Sequence, residues 1–321
     1  MRTYDWAVTC LDGRAMSRAR PVYPGAVLFS TRRVHKRQLL LRPSAAVNQL
    51  IEYVVAVCAQ RYGVELHALC VMSNHVHDVV TDRHGCVVEF ERDCHAIIAR
   101  ALNALHGDFE SLWSRAQSCR VTCVESEVVI DKIAYTMANP VAAGLVAHGA
   151  SWPGVRGAWP MQARTIRRPP GFFRDSRCGG SWPDEVVLEF HRPPGYAHLS
   201  DDEMAAHVRE KIELQEALAR DVMRAANRRF LGRRKVRLQS RYSYPLSREE
   251  RFGLRPAVAA HSKPARIEAL QEYRAWLEEY ETARERLRKG ESFVRFPYGT
   301  WKMRVYYRFA CGPPSGDVLA A

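Results

Sequence analysis

Alternating apolar and polar positions divide the first 150 residues into seven elements. AVLFST (26–31) is a short apolar run rich in strand formers, and the basic residues Arg32, Arg33, Lys36 and Arg37 follow it. From Ser44, a good N-cap, AAVNQLIEYVVAVCAQRYG repeats its apolar residues at helical spacing and stops on Gly63. ELHALCVM (65–72) predicts a strand, Ser73 and Asn74 a turn, and HVHDVVTD (75–82) the returning strand. VVEFERDCHAIIARALNALHG (87–107) predicts a second amphipathic helix and CRVTCVE (119–125) a further strand. Ser126 and Glu127 then open a third helix, EVVIDKIAYTMAN, expected to be cut short by Pro140. The order β-α-β-β-α-β-α predicts an α+β fold, a ferredoxin-like antiparallel sheet with helices on one face.

Beyond residue 150 the pattern changes. Trp152, Pro153, Trp159, Pro160, Pro169, Pro170 and the glycines at 179 and 180 give residues 151–198 a linker-like composition. Residues 199–321 predict a basic, mainly helical C-terminal region, with charged helices over 199–231 and 267–290. Residues 1–20 read as an irregular, flexible arm, which leaves residues 21–150 as the principal domain. A length of 321 residues accommodates two domains. No stretch reaches the roughly 18 apolar residues of a membrane helix, and the N-terminus lacks a signal-peptide core, so a cytoplasmic protein without a membrane partner is expected.

Charge and cysteines narrow the partners. The chain carries a formal charge of +13 with a pI near 9.5. Residues 161–321 hold 31 Lys+Arg against 21 Asp+Glu, so most of the excess lies in the second half. Such a balance favours a polyanion, nucleic acid above all. The nine cysteines form no dense framework and read as reduced; Cys119 and Cys123 are four apart but lack the second pair a zinc site needs.

The candidate chemistry begins with His75 and His77. Separated by one residue on a strand, they place both imidazoles on one face, where they can share a divalent cation; on spacing alone, two ordinary strand histidines fit as well. Asp78 falls on the opposite face. Tyr135 and Asn139 are four apart on the third helix and share a face. If that face lies over the histidine strand, it brings a phenol and an amide carbonyl to the metal, with Asn139 as a third ligand of hard oxygen. Taken singly, Tyr135 also fits a core tyrosine and Asn139 a helix-ending residue.

VMSNHVH (71–77) resembles the His-hydrophobic-His signature of the HUH nucleases, in the form carried by the REP-associated tyrosine transposases. YTMANPVAAGLV (135–146) resembles the tyrosine motif of the same family, in the same order and at a fitting separation. PGAVLFSTRR (24–33) resembles the family's opening strand, and FPYGTWKMR (296–304) a motif near the end of its longer members. The resemblance covers residues 20–150 and thins beyond. It implies the HUH nuclease fold, Tyr135 as nucleophile, His75 and His77 as metal ligands with Asn139 the third, and Mg2+ or Mn2+ as the ion. This chain departs from the family pattern at Phe29, where relatives usually carry a histidine, and at Ser73, often a proline.

The function so implied is a transposase-type endonuclease that cleaves and rejoins single-stranded or hairpin DNA through a 5′-phosphotyrosyl intermediate, as monomer or dimer. Arg32, Arg33, Lys36 and Arg37 beside the site, and Arg233, Arg234 and Lys235 in the second half, are expected to hold phosphates. The alternative is a domesticated relative that binds DNA hairpins without cutting. A hydrolase with a water nucleophile would need a carboxylate on the histidine face, where the sequence offers none.

Overall fold

Strand β1 (Ala26–Arg33) runs through the middle of the sheet in a computed structural model that describes residues 19–115, 118–172, 182–246 and 256–313. It pairs antiparallel with β3 (His75–Asp82) on one side and β4 (Cys119–Cys123) on the other. β2 (Val64–Val71) pairs antiparallel with β3, so the two expected hairpin strands and their turn are present. Two short strands extend the edges. β5 (Arg156–Ala158) adds antiparallel to β2, and β8 (Val258–Ala259) adds parallel to β4, giving the order β5-β2-β3-β1-β4-β8. A separate two-stranded ladder joins β6 (Arg164–Arg167) and β7 (Glu185–Leu188).

The sequence's cap residues set the helix ends. Ser44 accepts from the backbone N–H of Val47 at 3.2 Å to start α1 (Ala45–Tyr62), and Gly63 closes it in the left-handed conformation at φ 62°. Asp82, the last residue of β3, receives the N–H groups of Cys86 and Val87 at 2.8 and 3.0 Å and so caps α2 (Val87–His106), which ends on Gly107 at φ 64°.

The helices do not share one face of the sheet. Leu28, Leu69, Val76 and Val80 point to one side, into a core with α1 and α2. Phe29, Ala68, Val79 and Val121 point to the other, against α3 (Ser126–Ala142) and then α4 (Asp201–Ala225), which lies along α3 through Met204 and Val208. The expected one-sided arrangement is therefore corrected to a two-sided one. The reason is legible in β3, where both the odd and the even positions are buried, as a strand covered on both faces requires.

Pro140 does not end α3, which continues to Ala142. Proline removes one intrahelical hydrogen bond, but Pro140 and Val141 are buried, and Arg156 ties the last turns down by donating from Nε to the Met137 carbonyl at 2.8 Å.

The described residues of the Trp- and Pro-rich segment 151–198, expected to be linker-like, lie on the core. The segment supplies β5 to the sheet, and Ile166, Trp182, Val186, Leu188 and Phe190 join the α1–α2 side. Its prolines bound short strands, and its tryptophans supply buried area. The C-terminal region is mainly helical, with α5 (Arg233–Leu238), α6 (Lys263–Arg288) and α7 (Trp301–Val305). It builds a small core of its own from Ala283, Leu287, Val294, Phe296 and Met303. The expected arm of residues 1–20 lies almost entirely outside the described residues. Among those described, no helix is long and apolar enough to cross a membrane, and the cysteines are free.

Candidate active site

β3 presents the two histidines as its alternation requires. His75 stands opposite Arg33 and His77 opposite Thr31 across the β1–β3 ladder, so both rings emerge on the face covered by α3. Their centroids are 4.6 Å apart, at 78°. Val76 and Asp78 point the other way; Asp78 is buried there, its carboxyl pushed up to about 7 by burial and then by the Glu91 charge.

Each ring is oriented through its Nδ1. Asn74 donates from Nδ2 to the Arg37 carbonyl at 3.4 Å, which turns its Oδ1 toward His75 Nδ1 at 2.7 Å. An amide oxygen only accepts, so the proton of His75 sits on Nδ1 and its Nε2 carries the lone pair. Thr31 Oγ1 lies 2.8 Å from His77 Nδ1 and leaves the Nε2 of that ring facing α3. Burial lowers His75 to about 4 and holds His77 well below its usual range. Both imidazoles are thus neutral at physiological pH, the form that ligates a metal.

α3 brings the other two side chains. Asn139, one turn after Tyr135, sets its Nδ2 3.3 Å from His77 Nε2, and its amide works against the burial shifts of both His75 and Tyr135. One amide therefore contacts one imidazole and acts on the other two members of the expected site. The Tyr135 ring meets His77 edge-on at 5.5 Å and Phe29 edge-on at 5.8 Å, yet Tyr135 remains 45% exposed. Burial of its inner flank raises the phenol above its ordinary range, while the Asn139 hydrogen bond works against that rise. Phe29 stacks on His77 at 5.4 Å and 16°, filling with an apolar ring the place where the family pattern has a histidine.

This helix is clamped from behind. Besides bonding the Met137 carbonyl, Arg156 makes a 3.0 Å ion pair with Glu216 of α4, whose carboxylate also accepts from the Gly149 N–H. Farther along α3, Glu127 pairs with Lys211 and His207, and Asp131 with Lys211 and His261.

The donor set fits a divalent cation. Among the described residues no group of three or more His, Cys, Asp or Glu side chains could hold a metal, so the candidate set is two imidazoles and the Asn139 amide. Turning that amide about its Cγ bond would exchange Nδ2 for Oδ1 beside His77, presenting an oxygen where a donor now stands. Two neutral nitrogens and one neutral oxygen bind a divalent ion weakly and leave positions for phosphate oxygens.

The basic residues separate into three groups. Arg33 and Arg37 are near enough to His75 to depress it by charge, and Lys36 is exposed in the same turn, where Lys36 and Arg37 adopt φ of 49° and 58°. Arg32 instead opposes Val76 on the other face, and its guanidinium lies over the Trp113 ring at 5.7 Å; it does not border the site. Arg233, Arg234 and Lys235 are exposed on α5, which buries Val236 against Cys70, Met72, Val146 and Trp152. Cys70 stands beside His77 in the ladder, so the helix is anchored next to the histidine strand. Leu231 and Gly232 donate to the carbonyls of Gly144 and Leu145 just past α3, and Gln239 accepts from Arg42 at 2.8 Å.

Several contributors were not evident in the sequence. Asn74 and Thr31 orient the histidines, and Arg156 and Glu216 fix the tyrosine helix. Thr31 could have been found by writing β1 antiparallel to β3 in register, but nothing local marks Arg156. Among the C-terminal aromatics, Phe296 and Trp301 are core, whereas Tyr306 is exposed.

No protein-family model matches the chain, and no protein of established description matches it by sequence. Two of the solved structures similar to part of it show the likeness. One is a REP-associated tyrosine transposase bound to a REP hairpin, 17% identical over 45% of this chain and 81% of that one, with a TM-score of 0.35. The other is a proposed transposase from Deinococcus radiodurans R1, 21% identical over 35% of this chain and 90% of that one, with a TM-score of 0.27.

Proposed function

We propose that this chain is a metal-dependent, single-strand DNA endonuclease of the transposase type, cutting and rejoining hairpin-bearing DNA through Tyr135. One observation carries the reading: Asn139 contacts the buried, neutral His77, which has the half-buried, neutral His75 beside it at 4.6 Å and the half-exposed Tyr135 ring edge-on at 5.5 Å. A core tyrosine would be enclosed, and ordinary strand histidines would not converge with their Nε2 atoms on one helix face.

In this reading the Tyr135 oxygen attacks the phosphorus of the scissile linkage in line. The bond to the 3′-oxygen breaks, leaving a 5′-phosphotyrosyl ester and a 3′-hydroxyl that takes up a proton in exchange for the phenol's. Attack by another 3′-hydroxyl reverses the exchange, so rejoining needs no external energy. Asn139 orients the phenol and, with His75 and His77, would hold Mg2+ or Mn2+. The bound ion would polarise the phosphate and stabilise charge on the departing oxygen. Asn74 keeps the His75 proton on Nδ1, and Thr31 holds the His77 ring in place. Exposure on one side only suits a flexible single strand, which can lay its backbone against a ring that a stacked duplex cannot reach. Arg33, Lys36 and Arg37 on one side and Arg233, Arg234 and Lys235 on the other would hold flanking phosphates, an arrangement of basic residues around an open site that suits a polyanion.

The test is incubation with end-labelled single-stranded hairpin DNA and Mn2+, followed by a denaturing gel. Wild type is expected to give a covalent protein–DNA adduct and Tyr135→Phe none. If the phenylalanine variant also gave an adduct, Tyr135 would be the wrong nucleophile. If wild type left every hairpin intact with either metal, the hairpin-binding reading without cleavage would replace this one.

A further inference from the structure

Lys132 lies one turn before Tyr135 on α3, and its ammonium is held by rings instead of by an acid. Nζ sits over the Phe29 ring at 5.2 Å and over the Tyr135 ring at 6.0 Å. Its charge reaches His77 and, on the neighbouring strand, Cys123. The nearest carboxylates on the same helix are otherwise engaged: Glu127 by Lys211, His207 and Tyr196, and Asp131 by Lys211 and His261. No described acidic residue forms an ion pair with Lys132.

A partly buried ammonium without a counter-ion is costly unless rings or a ligand offset its charge. Ring faces offset it only in part, and they release it readily. Phe29 separates this cation from the two imidazoles: His77 stacks on the ring and the ammonium lies over it, with the Tyr135 ring edge-on to both Phe29 and His77. The phenol is therefore flanked by the neutral ligand set on one side and by a fixed positive charge on the other.

We propose that Lys132 is a further catalytic residue, holding a non-bridging oxygen of the phosphodiester at Tyr135 before attack and in the covalent ester. This rests on the nuclease reading above. The four-carbon stem lets the ammonium leave the two rings and meet a phosphate seated at the phenol, and its charge matches one that the linkage carries throughout the exchange. Lys132 is thereby distinct from the basic residues of the 33–37 turn and of α5, which would hold flanking phosphates and not the reacting one.

The experiment first maps the linkage at which wild type forms its adduct with Mn2+. It then compares wild type, Lys132→Met and Lys132→Arg for adduct formation at saturating metal. It also measures binding, in a Tyr135→Phe background, of the same hairpin with either a normal or a neutral methylphosphonate group at that linkage. Lys132→Met is expected to slow adduct formation about a hundredfold, the size of effect seen when one charge-stabilising donor is lost, with its melting temperature unchanged, and Lys132→Arg to recover most of the rate. In the binding arm, Lys132→Met should weaken the normal hairpin, flatten its salt dependence by about 0.7 in log–log slope, and leave the methylphosphonate hairpin unaffected. A rate equal to wild type in Lys132→Met, or the same loss for both hairpins, would overturn the assignment while leaving Tyr135 as nucleophile. Where Lys132→Met proved unstable, failure of Lys132→Arg to restore the rate in a stable protein would overturn it equally. Absence of any wild-type adduct would remove the nuclease reading, and this one with it.

Discussion

Asn139 places its Nδ2 3.3 Å from Nε2 of His77, on the one ring nitrogen that Thr31 does not occupy. The helix and the strand that form the site meet at this contact. Asn139→Ala should therefore raise the Mn2+ concentration needed for half-maximal adduct formation by about 10- to 100-fold, in line with the loss of a ligand or its supporting contact. A metal titration of adduct yield checks this. An unchanged midpoint would place Asn139 in orientation of Tyr135 alone.

The Arg156–Glu216 pair is largely buried, with side-chain exposures of 17% and 13%, and its arginine holds the Met137 carbonyl behind Tyr135. Removing one partner of such a pair leaves an uncompensated charge, so Glu216→Ala should lose about 3 kcal/mol of stability. Urea unfolding measures the loss. Replacement of both residues by apolar ones of similar volume should recover much of it, because the pair's own desolvation cost disappears as well.

His67 gives the fold a pH dependence separate from the metal ligands. It is fully buried between Thr81 Oγ1 and the His191 carbonyl, and burial lowers it to about 4. The unfolded chain takes up a proton at this residue near pH 6.5, whereas the folded chain does not until about pH 4. Its contribution is therefore complete above pH 6.5 and lost as the pH falls from there toward 4, about 3 kcal/mol in all. Unfolding measured from pH 8 to 4 should show wild type losing more stability than His67→Gln across that window. Parallel curves would contradict the assignment.

Arg32 and Arg233 have similar sequence surroundings and should behave differently. Arg32 lies over Trp113 on the far face, so Arg32→Gln should lower stability and leave affinity for single-stranded DNA nearly unchanged. The triple change Arg233→Gln, Arg234→Gln, Lys235→Gln should spare stability, since Val236 anchors the helix, and should weaken binding with a salt slope smaller by about 2. Filter binding at several salt concentrations separates the two outcomes.

Much of this was legible in the sequence because its signals are local. Helix starts and stops followed Ser44, Gly63 and Gly107, and β3 was bounded correctly at His75 and Asp82. The i, i+2 histidines and the i, i+4 Tyr–Asn pair needed only strand and helix periodicity to be grouped. What could not be read depends on tertiary pairing. The placement of α3 on the second face was hidden because HVHDVVTD reads the same whether one side or both are covered. Residues 151–198 were mistaken for a linker because Pro and Gly mark short edge strands as readily as linkers. Arg32 was grouped with its neighbours, although strand alternation turns it away from Arg33. Arg156 and Asn74 act through the backbone or a ring nitrogen of distant residues, and no spacing announces that.

The most direct measurement is the chemical identity of the linkage in the protein–DNA adduct. Adduct formed with Mn2+ on a hairpin substrate is digested with protease and nuclease, and the modified peptide is sequenced by mass spectrometry. The account predicts a nucleotide esterified through its 5′-phosphate to the oxygen of Tyr135, with the released strand ending in a 3′-hydroxyl. A nucleotide on any other residue, or attachment through a 3′-phosphate, would contradict it.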